Sequence, residues 1–405
     1  MEEKRENRWL RIVSVLFVAA VLAFLAFSGI VTLVKQPVYS SYFENRSLAG
    51  IPVYSDAGVM DGSYFTALDT YLQEHTAGRN TLLRAETILN LKLLHRPVVN
   101  DVVIGKDVLV GWQDFWIYDR DWLKQQAEAT ADRVAAHARI TAEHGGTYFY
   151  IAVPHQALAF TEAYPSYLQS HEDYYRDTAD FLADALAEHG VPFLDMWKVF
   201  QSKGILQEIS SRIDNHYSIL GAMEVCRCLS EQIKADTGLD LQFLDEENYR
   251  IEWLPNHYMG SRTRKLFDLW HSEEHLGIVV TDDTPDFTRR DQSSWMQEPR
   301  ENDSIYALPY SPDEIISYDL YMGGDWGKTV IESGRPELPS ILVYGDSFTN
   351  PVECLIWQCF DTMYSFDFRH YSEHTLDELI VLYQPEIVVC IRDYEAVLKA
   401  RENGQ

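Results

Sequence analysis

The stretch Ile341-Leu342-Val343-Tyr344-Gly345-Asp346-Ser347-Phe348-Thr349-Asn350-Pro351 decides the fold. Four apolar residues of β-forming type, Ile341 to Tyr344, read as a buried strand. Gly345 lets the chain turn steeply, and Asn350, Pro351 and Glu353 take the N-cap, first and third positions of a following helix. Strand, turn and helix in such close succession are the repeating unit of an α/β sheet. The residue between them, Ser347, falls at a strand's C-terminal end and beside a helix N-terminus. In open α/β sheets that is where ligands bind, and the free N–H groups and positive helix end there favour developing negative charge. Ser347 is therefore the candidate nucleophile. The alternative is a small polar residue in an ordinary strand-to-helix turn, and the choice depends on finding a base.

A base stands about 130 residues earlier, in Arg212-Ile213-Asp214-Asn215-His216-Tyr217-Ser218. On extended backbone residues i and i+2 face the same side, so Asp214 can hold one nitrogen of the His216 ring while the other faces a serine. The alternative is that both residues satisfy local backbone groups ahead of the helix Ile219 to Lys234, for which Ser218 is the N-cap.

Outward from these two segments the pattern alternates. Downstream come the helix Val352 to Met363, the strand Tyr364 to Phe368, the helix Thr375 to Tyr383 and the strand Glu386 to Ile391, which Arg392 and Asp393 close. Upstream, the helix Asp121 to Ala142 carries a stripe of Leu123, Ala127, Ala131, Val134 and Ala138. The strand Thr147 to Val153, the loop Pro154-His155-Gln156, the helix Asp173 to His189 and the strand Val191 to Leu194 follow. Helices alternating with short apolar strands predict a parallel sheet covered on both faces. His155, at a strand's C-terminal end, is a candidate substrate contact, and Arg392 a candidate anion clamp or structural ion pair. Polar, aromatic and acidic sequence from Thr237 to Tyr310 reads as an insertion, with one strand-like run at Leu276 to Val280. Its basic cluster Arg262, Arg264 and Lys265 is solvated surface or a site for an anionic group. Asp101 to Val110 reads as two short strands about Gly105-Lys106-Asp107, and the aromatics Trp112, Phe115, Trp116 and Tyr118 after it as a packing cluster, the alternative being a surface that stacks on sugar rings.

The N-terminus places the chain. Ile12 to Val34 is 23 residues without a charge, and Lys4, Arg5, Arg8 and Arg11 precede it. That run is long enough to cross a bilayer as a helix, with the basic end inside. An uncleaved anchor is the favoured reading; the alternative is a signal peptide cut after Ala26-Phe27-Ser28, although the apolar run continues past that point. The 405 residues have a net charge of −28, which disfavours polyanionic partners such as nucleic acid. Five cysteines make no Cys-x-x-Cys pair and no metal spacing with histidine. No metal and no other cofactor is expected.

Together the Asp214/His216 and Gly345-Asp346-Ser347 segments resemble the SGNH hydrolase superfamily, in the rearranged form of the alginate O-acetylation proteins and the DHHW proteins of Gram-positive bacteria. Glu44-Asn45-Arg46-Ser47-Leu48 with Pro52, Tyr71, Arg79 and Ile104-Gly105-Lys106-Asp107 look like that family's lead-in segment. His257 to Ser261, Tyr318 to Gly324, Asp367-Phe368-Arg369 and Pro385 to Val389 also fall where it has similar segments. The namesake Asp-His-His-Trp is here Asp214-Asn215-His216-Tyr217. Gly323-Gly324-Asp325 stands where relatives commonly carry Gly-Gly-Asn, and a carboxylate cannot donate to an oxyanion as an amide could.

The resemblance implies a three-layer αβα sandwich at 121–405 with an insertion about 237–320. A stalk and lead-in segment at 36–120 and a cytoplasmic tip with membrane anchor at 1–35 precede it. It also implies an extracellular, membrane-anchored acetyltransferase or acetylesterase acting on a cell-surface polysaccharide, with a membrane-bound O-acyltransferase as partner. Ser347, His216 and Asp214 would be the triad, with Gly324 and Asp325 candidates for the oxyanion or substrate site. A non-catalytic polysaccharide-binding protein of the same fold is the alternative.

Overall fold

The apolar run that ends at Gly345 forms the strand Ser340–Gly345, deep inside an eight-stranded sheet. The structure is a computed structural model and describes residues 2–44, 46–112, 117–244 and 248–399. Asn45 of the lead-in segment, and Phe115 and Trp116 of the aromatic run, lie outside the described residues. The chain divides into two compact units, one of residues 1–100 with 264–269, the other of 101–263 with 270–405.

In the first unit, helix α1 (Glu2–Val34) contains one exposed apolar stretch, Arg11–Thr32, of a length and composition that could cross a membrane; a signal sequence has the same character. The Thr32 hydroxyl accepts the Ala77 N–H at 3.0 Å, in the turn between α2 (Ser63–His75) and α3 (Arg79–Ile88). Arg79 grips Glu44 through two bonds of 2.6 and 3.0 Å. That bidentate pairing pulls the Glu44 carboxyl down to about 2, against the opposing effect of partial burial.

The second unit opens with the antiparallel hairpin β1 (Val102–Ile104) and β2 (Leu109–Gly111), whose turn closes with Gly105 N–H on the Val108 carbonyl at 2.9 Å. Then follow α4 (Arg120–Glu143), β3 (Thr147–Val153), α5 (Glu172–Glu188), β4 (Phe193–Asp195), α6 (Ile219–Thr237), β5 (Tyr249–Trp253), β6 (Gly277–Thr281), β7 (Thr288–Gln292), β8 (Arg300–Asn302), β9 (Lys328–Glu332), β10 (Ser340–Gly345), α7 (Asn350–Ile356), β11 (Thr362–Phe366), α8 (Leu376–Tyr383) and β12 (Ile387–Asp393).

The sheet runs β8-β7-β9-β11-β10-β12-β3-β4. From β11 to β4 every neighbour is parallel, as the alternation of helices and strands predicts. The other three strands are antiparallel additions, so the sheet is mixed rather than parallel. β7 and β8 come from sequence that reads as an insertion and β9 from beyond it; Arg289, Asp291 and Thr329 are polar residues that point inward. A buried ion pair satisfies them: Arg289 Nε meets Asp291 at 3.0 Å, and Thr329 donates to the same carboxylate at 2.8 Å.

Side chains alternate across the strands. Tyr148, Tyr150, Leu342, Tyr344, Val388 and Cys390 pack with α4, α5 and α8 on one face. Phe149, Ile151, Ile341, Val343, Val389 and Ile391 are buried on the other, the side of α6 and α7, which pack on each other. That is a sandwich of helices about a central sheet.

Candidate active site

Gly345 is required by the close approach of β12: a Cβ there would lie 2.1 Å from the Ile391 carbonyl oxygen and 2.5 Å from the Thr349 methyl. The Asp346 side chain then accepts the Phe348 N–H at 3.0 Å and Thr349 N–H returns to the Asp346 carbonyl at 2.9 Å, which tightens the turn around Ser347. Helix α7 starts one residue earlier than the sequence pattern suggests, with Thr349 in the N-cap position and Pro351 in the first turn. Thr349 makes no side-chain cap; its hydroxyl binds the Asp346 carbonyl and Glu353. Asn350 is thereby released from capping, and its amide donates to Asp325 at 3.0 Å. Among the described residues the Ser347 N–H has no partner.

The base segment comes to this turn from the other side of the chain. His216 Nε2 is 2.7 Å from Ser347 Oγ, and His216 Nδ1 is 2.6 Å from Asp214 Oδ1. Asp214 is 2% and His216 8% exposed, while Ser347 is half-buried, so the hydrogen-bonded chain is sheltered and open only at the serine. The second oxygen of Asp214 accepts the Ser261 N–H at 2.5 Å and the first also takes the His216 N–H at 3.2 Å. Burial alone would push the Asp214 carboxyl up; the His216 ring and these two N–H groups outweigh it and hold it well below the usual carboxylate range. An ionised Asp214 keeps the Nδ1 proton in place and leaves Nε2 as the acceptor for the serine proton. Ser261 gets this close because Gly260 has no side chain: a Cβ there would lie 2.4 Å from the Ile213 carbonyl oxygen.

Sequence reasoning did not assign Tyr318, Ser261 or Tyr217 to the site. The Tyr318 ring stacks on His216 with centroids 3.8 Å apart and planes 7° from parallel. Tyr217 sends its hydroxyl to the Phe348 carbonyl. All three fall inside segments quoted for the family resemblance, which was the available signal, but only the packed structure gives them a role.

The remaining candidates lie elsewhere or face another way. Gly324 donates its own N–H to Tyr321 at 3.2 Å. The Asp325 carboxylate is engaged by Asn350 and by Arg369 Nη2 at 2.9 Å, and Arg369 also grips Asp367 at 2.6 Å. His155 is buried; its Nδ1 accepts the Ala157 N–H at 3.3 Å and its Nε2 lies 3.5 Å from Glu395, so it caps the short helix Gln156–Ala159. Burial holds the His155 ring below the usual imidazole range despite Glu395. Arg392 has no exposed side chain; it lies 3.8 Å from Asp346 and 3.5 Å from the Gly345 carbonyl, and so supports the turn from beneath instead of clamping an anion.

Among the described residues two side-chain clusters have metal-ligand types within reach of each other, His155 with Asp393 and Glu395, and Asp325 with Asp367 and His370. Neither fits a cation well. The Arg369 guanidinium already bridges Asp325 and Asp367, and the His155 nitrogen aimed at Glu395 carries the proton when the other accepts from Ala157.

A Gly-Asp-Ser turn at the C-terminal end of a central parallel strand meets an Asp-x-His segment, an arrangement whose groups are placed for acyl-transfer chemistry. More particularly, part of the chain is similar to an SGNH hydrolase-like domain. The family model described as "SGNH hydrolase-like domain, acetyltransferase AlgX" matches residues 108–298, a span that holds Asp214 and His216 and ends before Ser347. Among solved structures, Bacillus cereus PatB1 with a sulfonyl adduct aligns with TM-score 0.62 and 16% identity, over 75% of this chain and 98% of that one. A DHHW family protein from Eubacterium siraeum aligns with TM-score 0.54 and 17% identity, over 76% of this chain and 95% of that one. At such identities the likeness is one of fold. A comparison with curated proteins gives no match.

Proposed function

We propose that the protein is a membrane-anchored, extracytoplasmic enzyme that transfers or hydrolyses O-acetyl groups on a cell-surface polysaccharide. The observation that carries the chemistry is the continuous relay from Asp214 through His216 to the half-buried Ser347 hydroxyl. Ser347 Oγ attacks the acetyl carbonyl carbon while its proton passes to His216 Nε2. The tetrahedral oxyanion takes the unpaired Ser347 N–H as a donor. His216 then gives the proton to the departing ester oxygen, the carbon–oxygen bond breaks, and the acetyl group remains on Ser347. An acceptor hydroxyl, from sugar or water, loses its proton to His216 and carries the acetyl group away. Asp214 fixes the ring's tautomer and stabilises the imidazolium.

Acetyl as the group, and a polysaccharide as its carrier, are supported by the matched family model's acetyltransferase description and by the family resemblance. The anchor rests on the apolar exposed stretch of α1. A membrane-bound O-acyltransferase would be the donor-side partner of a transferase, and an esterase would need none. A binding protein that keeps the fold is the second reading, favoured by the acidic residue at Asp325 beside the site.

The test is acetate release from an activated acetyl ester by the full chain in detergent. Ser347→Ala should lower the rate by roughly 10⁴- to 10⁶-fold, the usual cost of losing a triad member. Equal rates in the two proteins would rule out Ser347, and a silent wild type with undiminished polysaccharide binding would favour the second reading.

A further inference from the structure

We propose that Tyr217 is a positioning residue of the site: its hydroxyl, donated to the Phe348 carbonyl, ties the segment carrying the base to the turn carrying the nucleophile. The inference rests on the acyl-transfer reading above. His216 and Ser347 are 131 residues apart, and so are Tyr217 and Phe348, the residues that follow each of them. The contact that would transfer the proton is therefore backed, one residue on, by a second contact between the same two segments.

Both new partners are buried, Tyr217 and Phe348 each at 2% exposure, and their rings meet edge to face at 5.4 Å. The Phe348 ring also lies 4.7 Å from the His216 ring. Tyr217 is fixed at its base as well. Its backbone bridges Ser210, and Gly221 leaves room for it, since a Cβ at Gly221 would lie 2.9 Å from the Tyr217 Cβ. The Phe348 peptide is in turn held at both ends, its N–H by Asp346 at 3.0 Å and its carbonyl by Tyr217. Among the described residues that carbonyl has no other partner. Burial pushes the Tyr217 phenol far above its ordinary value, so the hydroxyl remains a donor across the working pH range. Phe348 is thus held on both of its peptide groups, by Asp346 on the side of Ser347 and by Tyr217 on the other, and with it the direction in which the adjoining Ser347 hydroxyl faces His216.

Tyr217→Phe keeps the ring and its packing and deletes only the tether. A misplacement of about 1 Å between reacting groups can cost about 10²-fold, so the acylation rate per active site should fall roughly 10- to 100-fold. The measurement is single-turnover release of p-nitrophenol from p-nitrophenyl acetate by the full chain in detergent, normalised to sites titrated with a sulfonyl fluoride. Such a rate per titrated site is insensitive to a merely smaller folded fraction. Tyr150→Phe is the control, because it removes a comparable buried phenol-to-carbonyl bond, Tyr150 to Val397 at 2.9 Å, away from the triad. It should leave the rate per site unchanged. Tyr217→Trp, which restores an N–H donor on a ring, should recover at least tenfold over the Phe variant.

A Tyr217→Phe protein with the wild-type rate per site, alongside an inactive Ser347→Ala, overturns the tether and leaves the acyl-transfer reading intact. An equal loss in Tyr150→Phe overturns it too, by making the effect a general loosening. Full activity in Ser347→Ala overturns the reading beneath both.

Discussion

Asp214→Asn tests the relay at the atom where the structure makes the strongest demand. The carboxylate accepts three hydrogen bonds, from His216 Nδ1 at 2.6 Å, His216 N–H at 3.2 Å and Ser261 N–H at 2.5 Å, and it donates none. An asparagine amide has one oxygen and cannot face both sides as an acceptor. If its oxygen turns to Ser261, its NH₂ meets His216 Nδ1 and drives the ring proton onto Nε2, where it can no longer accept from Ser347. If the oxygen turns to His216, the NH₂ opposes the Ser261 N–H. The first orientation costs catalysis: a wrong tautomer in such a triad lowers kcat by about 10⁴, or about 5.5 kcal/mol at 1.36 kcal/mol per decade. The second costs stability, since a lost bond to a charged, buried acceptor contributes about 1.5 to 3 kcal/mol. The carboxyl is held below its ordinary value, so its contribution is present above about pH 4, the unfolded value, and is lost as the pH falls through the folded one. The gap in stability between wild type and variant should therefore close on acidification below about pH 4. Acetyl-ester hydrolysis at pH 7 and urea unfolding from pH 3 to 8 measure the two. A variant within tenfold of wild-type kcat would refute the relay.

Other perturbations follow from the same frame. Glu274 accepts the Arg212 N–H at 2.7 Å, just before the base segment, and burial, with the nearby Asp214 charge, raises its carboxyl to about 7 although Ser211 and the Arg212 N–H oppose this. A raised acid is stabilising while protonated, so wild-type stability should decline between the unfolded value and about pH 7, by roughly 3 to 4 kcal/mol. Glu274→Gln should flatten that decline, and an unchanged slope in urea melts would remove Glu274 as its source. Gly260→Ala places a methyl 2.4 Å from the Ile213 carbonyl oxygen, backbone that must shift, at a cost of about 1 to 3 kcal/mol. It should lower Tm and, by moving Ser261, lower kcat; a variant with both unaffected would show that the approach is slack. For the anchor, protease added to intact cells should digest the region from Gln36 onward, whereas a protected C-terminus would reverse the topology.

How much of this was legible in the sequence depended on the range of the interaction. The strand Thr147 to Val153 was readable residue for residue, because apolar runs and following helices are local patterns. Asp214, His216 and Ser347 were readable as chemistry because each sits in a motif, and their meeting followed from the resemblance. The antiparallel strands β7, β8 and β9 were not readable. The buried residues of β7, Arg289 and Asp291, are polar, and the pair they form, with Thr329 and Asn302 around it, makes such a strand tolerable in a sheet. The Asn350 cap failed for a similar reason, since the amide has a better partner at Asp325, a position 25 residues away that no local pattern reports.

The same distinction explains why sequence from the polar middle of the chain matters to the site. Arg289 sends Nη2 to the Met322 carbonyl at 2.5 Å and Nη1 to Ser304 at 2.8 Å, so the buried pair on β7 holds the segment that runs from Tyr318 to Asp325. Met322, Gly323 and Gly324 all have positive φ, at 58°, 73° and 103°. A non-glycine residue in that region is strained and persists only where its surroundings over-determine it. At one end of this segment Tyr318 stacks on His216, and at the other Asp325 holds the Asn350 amide at the start of α7. The added strands extend the sheet, and β7, through Arg289, also braces a strained loop whose two ends touch His216 and the start of α7. That loop is stored in residues that read, one at a time, as loop and insertion.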